Sequence, residues 1–116
     1  MDRALRPAQR IRDGGDFRRL LRKGRRWRGG LFLLYFHPNE YGFHRIAVTT
    51  SRASGGAVCR NKIRRVLREA FRCQRPLLQE GKGVDFWVLC RDPVAQQDLA
   101  PMREELLRML RRMEKS

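Results

Sequence analysis

Two apolar runs enclose a helical one, and that order limits what this chain can fold into. Residues 45–51 are rich in β-branched side chains, and residues 84–90 are apolar apart from Asp85 near the start. Both read as strands. Between them, residues 57–78 carry a helical period that ends at Gly81-Lys82-Gly83. Ile63, Val66, Leu67, Ala70 and Phe71 gather on one side of this helix, at roughly 100° per residue. Strand, helix, strand in sequence predicts a parallel crossover, hence a mixed sheet with helices packed on it.

The flanking segments fill out the same layout. Phe17, Leu20 and Leu21 fall at helical spacing within residues 13–23, with Asp13 or Asp16 suited to the start and Gly24 to the stop. Residues 25–30 form a basic connector with room for a short strand. Residues 31–37 read as a strand closed by Pro38-Asn39, and they are expected to pair with 45–51 as a hairpin. On that strand Leu33 and Tyr35 share one face, and Phe32, Leu34 and Phe36 share the other. A last helix is expected from Pro101, buried along Met102, Leu106, Met109, Leu110 and Met113. The fold class is α+β, an α/β sandwich of order α-β-β(-β)-α-β-α. It forms one domain over residues 1–116, with a basic and flexible segment at 1–9.

Charge points to the partner. Lys and Arg number 27 against 12 for Asp and Glu, a net charge of +15. Such an excess repels itself, and a polyanion relieves it. Arginine dominates, and its planar fork suits phosphates and stacks on bases. On the central helix Arg60, Arg64, Arg65, Arg68 and Arg72 collect opposite the apolar side, joined by Asn61 and edged by Lys62, and only Glu69 offsets them. A solvated face would interleave acids and bases. Ser54-Gly55-Gly56 leaves the backbone open ahead of the helix, beside Arg52, where free N–H groups suit a phosphate. The basic segment bearing Arg3, Arg6, Arg10 and Arg12 is expected to order on RNA.

Other chemistries find little support. Cys59, Cys73 and Cys90 are too scattered for a zinc site and read as reduced thiols, with Cys59 in packing. His37 and His44 lie in or beside a turn and read as solvated. Asp13, Asp16, Asp85 and Asp92 read as caps and strand ends. Trp87 reads as core or rim, Trp27 stays undecided, and Phe17 reads as core on its residue type alone. The first twelve residues lack the apolar run of a signal peptide, and 31–36 is too short for a membrane span, so a cytoplasmic location is expected. A general or ribosomal RNA-binding module, a self-sufficient nuclease and a membrane-surface protein remain as rival readings.

A longer pattern narrows the choice. Arg45-Ile46-Ala47-Val48-Thr49-Thr50-Ser51-Arg52, then Gly55-Gly56-Ala57-Val58-Cys59-Arg60-Asn61-Lys62-Ile63-Arg64-Arg65, then Leu67-Arg68-Glu69-Ala70-Phe71-Arg72, resembles the signature of the protein component of bacterial ribonuclease P. Arg10-Ile11 with Asp16-Phe17, and residues 85–91, resemble its flanks. The family's basic motif stands here as Arg60-Asn61-Lys62. Ala53, Gly56, Lys62 and Leu21 depart from the usual residues.

The resemblance implies a protein subunit that binds a catalytic RNA and the 5′ leader of precursor tRNA. The RNA would perform the cleavage with Mg²⁺ held mainly by RNA and substrate, and this chain would carry no catalytic residues and no metal ligands. Docking on the RNA subunit is expected at Arg52, Arg60, Asn61, Lys62, Arg64, Arg65 and Arg68. The leader is expected in a cleft between the sheet and the first helix, with Phe17, Leu33 and Tyr35 inside it and Asn61, Arg64 and Arg68 at its basic edge. One monomeric protein per RNA subunit is implied, with no membrane partner. A βαβ crossover is right-handed in roughly 98% of cases, whereas the resemblance implies a left-handed one, of the ribosomal protein S5 domain 2-like kind.

Overall fold

A computed structural model describes residues 10–74 and 83–114, with the backbone alone at Glu114. Helix α1 spans Gly14–Lys23, strand β1 Arg25–Arg28, β2 Leu33–Pro38 and β3 Arg45–Thr50. Helix α2 follows at Ala57–Gln74, β4 at Val84–Cys90 and α3 at Leu99–Glu114. The expected continuation of α2 to residue 78, its glycine stop up to Lys82, and the segment 1–9 lie outside the described residues.

The sheet order is β1-β2-β4-β3, with β3 parallel to β4 and the other pairs antiparallel. The parallel crossover through α2 is therefore present. The expected hairpin between β2 and β3 is not, because β4 lies between them. The reason is burial. Phe86 and Val88 pack toward one face and Trp87 toward the other, so β4 is apolar on both sides and suits a central place. Residues 39–44 bridge over its start. Asn39 N donates to Gly83 O at 2.9 Å, and Val84 N donates to the His44 Nδ1 at 3.1 Å. His44 is thus buried against Phe86 rather than solvated as expected.

That bridge needs Gly83. A Cβ there would sit 2.7 Å from Phe43 O and closer still to the Asn39 amide. Gly83→Ala should therefore cost about 1–3 kcal/mol of stability, read as a lowered urea midpoint; an unchanged midpoint would show that the bridge yields freely.

One face of the sheet carries the main core. Phe32, Leu34, Ile46, Val48, Phe86 and Val88 meet Ile63, Leu67 and Phe71 of α2 and Met102, Leu106 and Leu110 of α3. The helical period thus predicts this packing. Helix α3 begins two residues before Pro101, because Leu99 is buried and Asp98 accepts from Ala95 N at 2.8 Å in the preceding turn. Pro101 falls in the first turn, where its missing N–H costs nothing. Trp27 joins this face, edge-on to Phe36 at 5.2 Å with Arg112 above it.

The other face is only partly covered. Leu33, Tyr35, Ala47 and Trp87 pack with Ile11 and with Leu20 of α1. Asp13 caps that helix by accepting from Gly15 N at 2.9 Å. Ile11 N donates to Ile46 O at 3.0 Å, so Arg10-Ile11 runs beside β3. The order expected to await RNA is therefore already present at Arg10 and Arg12.

Candidate nucleic-acid interface

Helix α1 is fixed by charge as well as by packing. Arg45 starts β3, and its Nε and Nη2 donate to the two carboxylate oxygens of Asp85 at 2.8 and 2.6 Å. The same Nη2 lies 3.3 Å from Asp16 Oδ2 on α1. All three side chains are buried, so neither acid is a simple cap or strand end as expected. The hydrogen bonds to Asp85 are the main reason the Arg45 pKa is pushed up. Asn39 also donates to Asp85 Oδ1 at 2.7 Å, and the Arg45 guanidinium lies 4.2 Å from the Tyr41 ring centre. Sequence reasoning missed this triad. A signal was there: Asp16 precedes Leu20 by four on the buried side of α1, and Asp85 alternates with Trp87 and Leu89. Acids at core positions call for a buried cation.

So anchored, α1 lays Phe17 edge-on against Trp87 at 4.9 Å, and Trp87 lies 5.2 Å from the Tyr35 ring. Trp87 Nε1 donates to Thr49 Oγ1 at 2.9 Å, which satisfies the indole within the floor. Phe17 and Leu89 are half-buried, and Leu21 is 54% exposed one turn beyond Phe17. The result is an apolar, aromatic floor walled by α1. Leu33 and Tyr35 are more enclosed than an open stacking surface, at 7% and 8% exposure. Trp87 is the floor residue that sequence reasoning left between core and rim.

The basic residues divide around α2. Ile63 points into the core, so Lys62 and Arg64, each about 100° from it, leave on opposite flanks. Arg64 turns toward β3, donating to Thr50 Oγ1 at 2.8 Å and also to Asn61 Oδ1. Lys62 turns the other way, with its Nζ 3.4 Å from Gln96 Oε1. Arg65 is exposed, and so is Arg52 in the turn before α2. Arg72 is neutralised by Glu69, whose pKa that hydrogen bond lowers. The predicted basic face thus loses Arg72 and splits at Lys62.

Arg68 has the most unusual setting. Burial lowers its pKa, and the positive charges of Arg10, Arg64 and Arg12 lower it further. Arg10 pairs beside β3 and Arg64 bonds to Thr50 at its end, so these arginines share the β3 edge, where Arg10 and Arg12 were not expected as site residues. The Nε atoms of Arg10 and Arg60 are buried without a hydrogen-bond partner among the described residues. A native fold rarely leaves such donors unmet, and a bound anion is one way to meet them.

The turn ahead of α2 is tightly set. Ser54 is buried and its hydroxyl donates to Cys90 O at 3.2 Å, while Ser51 N donates to the same carbonyl at 3.1 Å. Gly55 has φ +144°, and a Cβ there would lie 2.9 Å from Cys59 Sγ. Cys59 packs at the core as expected, with its thiol 3.4 Å from Val94 O. No helix among the described residues is long and apolar enough to cross a membrane.

Comparison with known proteins gives a consistent answer. A family model described as Ribonuclease P matches residues 5–114. The ribonuclease P protein component of Roseiflexus castenholzii is 34% identical over 106 residues, covering 91% of this chain and 85% of that one. Among solved structures, the ribonuclease P protein of Thermotoga maritima aligns with a TM-score of 0.72 at 26% identity, over 90% of this chain and 97% of that one. That of Staphylococcus aureus aligns with a TM-score of 0.70 at 30% identity, over 92% of each.

Proposed function

The chain belongs to the ribonuclease P protein family, and from that premise we propose that its two basic flanks hold the RNA subunit while its aromatic floor receives the precursor-tRNA leader. As a subunit of a ribonucleoprotein endonuclease it serves tRNA 5′ maturation, and the holoenzyme implies an RNA partner. The finer assignment rests on the residues. Arg52, Arg60, Asn61, Lys62, Arg64, Arg65 and Arg68 form the docking face for the RNA subunit. Phe17, Leu33 and Tyr35, together with Trp87, line the leader cleft, and Asn61, Arg64 and Arg68 border it. One monomeric protein serves each RNA subunit, in the cytoplasm.

The observation that carries this reading is the placement of Arg10 and Ile11 along β3, with Arg12 next in the chain, and of Arg64 on Thr50 at the end of that strand, with Arg68 one turn on, beside the Phe17–Trp87–Tyr35 floor. Four like charges held together lower stability unless a polyanion lies against them. A single-stranded leader answers both halves of the site. Its phosphates meet the guanidinium forks, and its unstacked bases meet aromatic rings.

No cluster of three or more His, Cys, Asp or Glu side chains occurs among the described residues, and the buried carboxylates of Asp16 and Asp85 both serve Arg45. Family membership is the ground on which we assign Mg²⁺ to the RNA subunit and its substrate, and no catalytic residue to this chain. The protein's part is to offset phosphate repulsion and to position the leader.

Reconstitution tests this. Adding the protein to the RNA subunit should raise cleavage of precursor tRNA at low Mg²⁺ well above that of the RNA alone. The protein by itself should leave the substrate intact. No stimulation would overturn the assignment, and specific cleavage by the protein alone would place the chemistry in this chain.

A further inference from the structure

The leader cleft has a second side. In the β1–β2 ladder Arg26 lies opposite Tyr35, and Arg28 opposite Leu33. Directly paired residues of antiparallel strands point to the same face. Arg26 and Arg28 therefore flank the floor on the edge away from Arg64 and Arg68, while Trp27 between them turns to the main core beside Phe36. Both arginines are exposed, and no hydrogen bond or ion pair engages either among the described residues.

Two acids lie near this edge, Glu105 and Asp92, and Arg91 lines the same hollow as the second. Glu105 is held by Gly30 N at 2.9 Å, which ties the β1–β2 turn to α3. Beside Arg28, a hollow of about 60 Å³ lies at the end of the floor, with Leu33, Leu89, Arg91 and Asp92 also lining it. From β1 to β3 the floor crosses three strand spacings, or about 14 Å. Its basic rims thus stand on opposite edges, with apolar and aromatic side chains between.

We propose that Arg26 and Arg28 form a second phosphate-binding rim, so that single-stranded RNA lies across the strands from the α2 arginines to the β1 edge. The occupant is leader RNA upstream of the portion bordered by Arg64 and Arg68. This inference rests on the leader-cleft reading above and extends it to residues outside the motif. Charge on an edge strand also blocks pairing between sheets, but that role alone needs no RNA and leaves RNA affinity untouched.

The test uses the holoenzyme reconstituted with its RNA subunit. Affinity is measured for precursor tRNA with a long single-stranded leader and for mature tRNA, which has none. Arg26→Ala/Arg28→Ala should weaken long-leader binding by about tenfold or more. It should also reduce the slope of log K against log[salt] by roughly 1.4, at about 0.7 per single-strand phosphate. Binding of mature tRNA should be unchanged, and Arg26→Lys/Arg28→Lys should restore most of the salt slope. Equal losses on both substrates, or no loss, would overturn the rim. Arg64→Ala/Arg68→Ala separates the two readings. If that pair loses leader affinity and the β1 pair does not, only the rim fails. If neither pair loses it, the leader cleft itself is wrong.

Discussion

Asp85→Ala should be among the most damaging single substitutions in this protein, lowering stability by about 3–5 kcal/mol. A domain of this size has only about 5–15 kcal/mol in total. The alanine would leave Arg45 buried with one remaining acid, Asp16, whose nearest contact is 3.3 Å rather than the 2.6 and 2.8 Å made to Asp85. Asn39 would lose its acceptor as well. An uncompensated buried charge is the costly outcome, because desolvation is no longer offset. Asp16→Ala removes the weaker contact and should cost distinctly less. Urea unfolding of the two variants checks the order, and equal losses would show that Arg45 does not depend on Asp85 in this way.

The same triad ties stability to function. Asp16 sits on α1, one residue before Phe17, and Arg45 joins it to β4, which carries Trp87. A variant that loosens Arg45 should let α1 shift over the floor. Leader affinity should then fall even at temperatures where the protein remains folded.

What the sequence makes legible follows from the range of each interaction. The α2 stripe and its arginines are local patterns, repeated within a few residues, and the structure places Ile63, Leu67 and Phe71 in the core accordingly. Residues 84–90 are apolar apart from Asp85 and match β4. Strand order is not local. A six-residue link between β2 and β3 suits a hairpin, yet the same link reaches over β4, and only burial on both faces of β4 decides between them. The Asp85–Arg45 pair joins positions 40 residues apart, so no periodicity reports it. Arg10 and Arg12 join the basic cluster because Ile11 pairs with β3, a contact that composition cannot foresee. The split of Lys62 from Arg64 was computable, since both angles are measured from Ile63, but it required knowing that Ile63 is the buried point.

The second large effect belongs to Arg64 and Arg68, and for Arg68 RNA binding and stability should part. If both neutralise phosphates, Arg64→Ala/Arg68→Ala should weaken long-leader precursor tRNA by about a hundredfold or more, from about 1.5–3 kcal/mol per charge-assisted contact. Each loss should also flatten the salt slope by about 0.7–0.9. Stability should move differently. Burial disfavours the Arg68 charge first, and the charges of Arg10, Arg64 and Arg12 disfavour it further. Arg68→Met keeps an apolar stem for packing and removes the repulsion, so it should hold stability level or raise it by a few tenths of a kcal/mol. Arg64 differs, because its bonds to Thr50 and Asn61 are lost with it, and Arg64→Ala should cost about 1 kcal/mol. Weaker RNA binding with an equally stable Arg68→Met protein is the mark of a charge kept for a partner. A fall in both would make Arg68 part of the fold, and the strongest physical argument for the leader cleft would go with it.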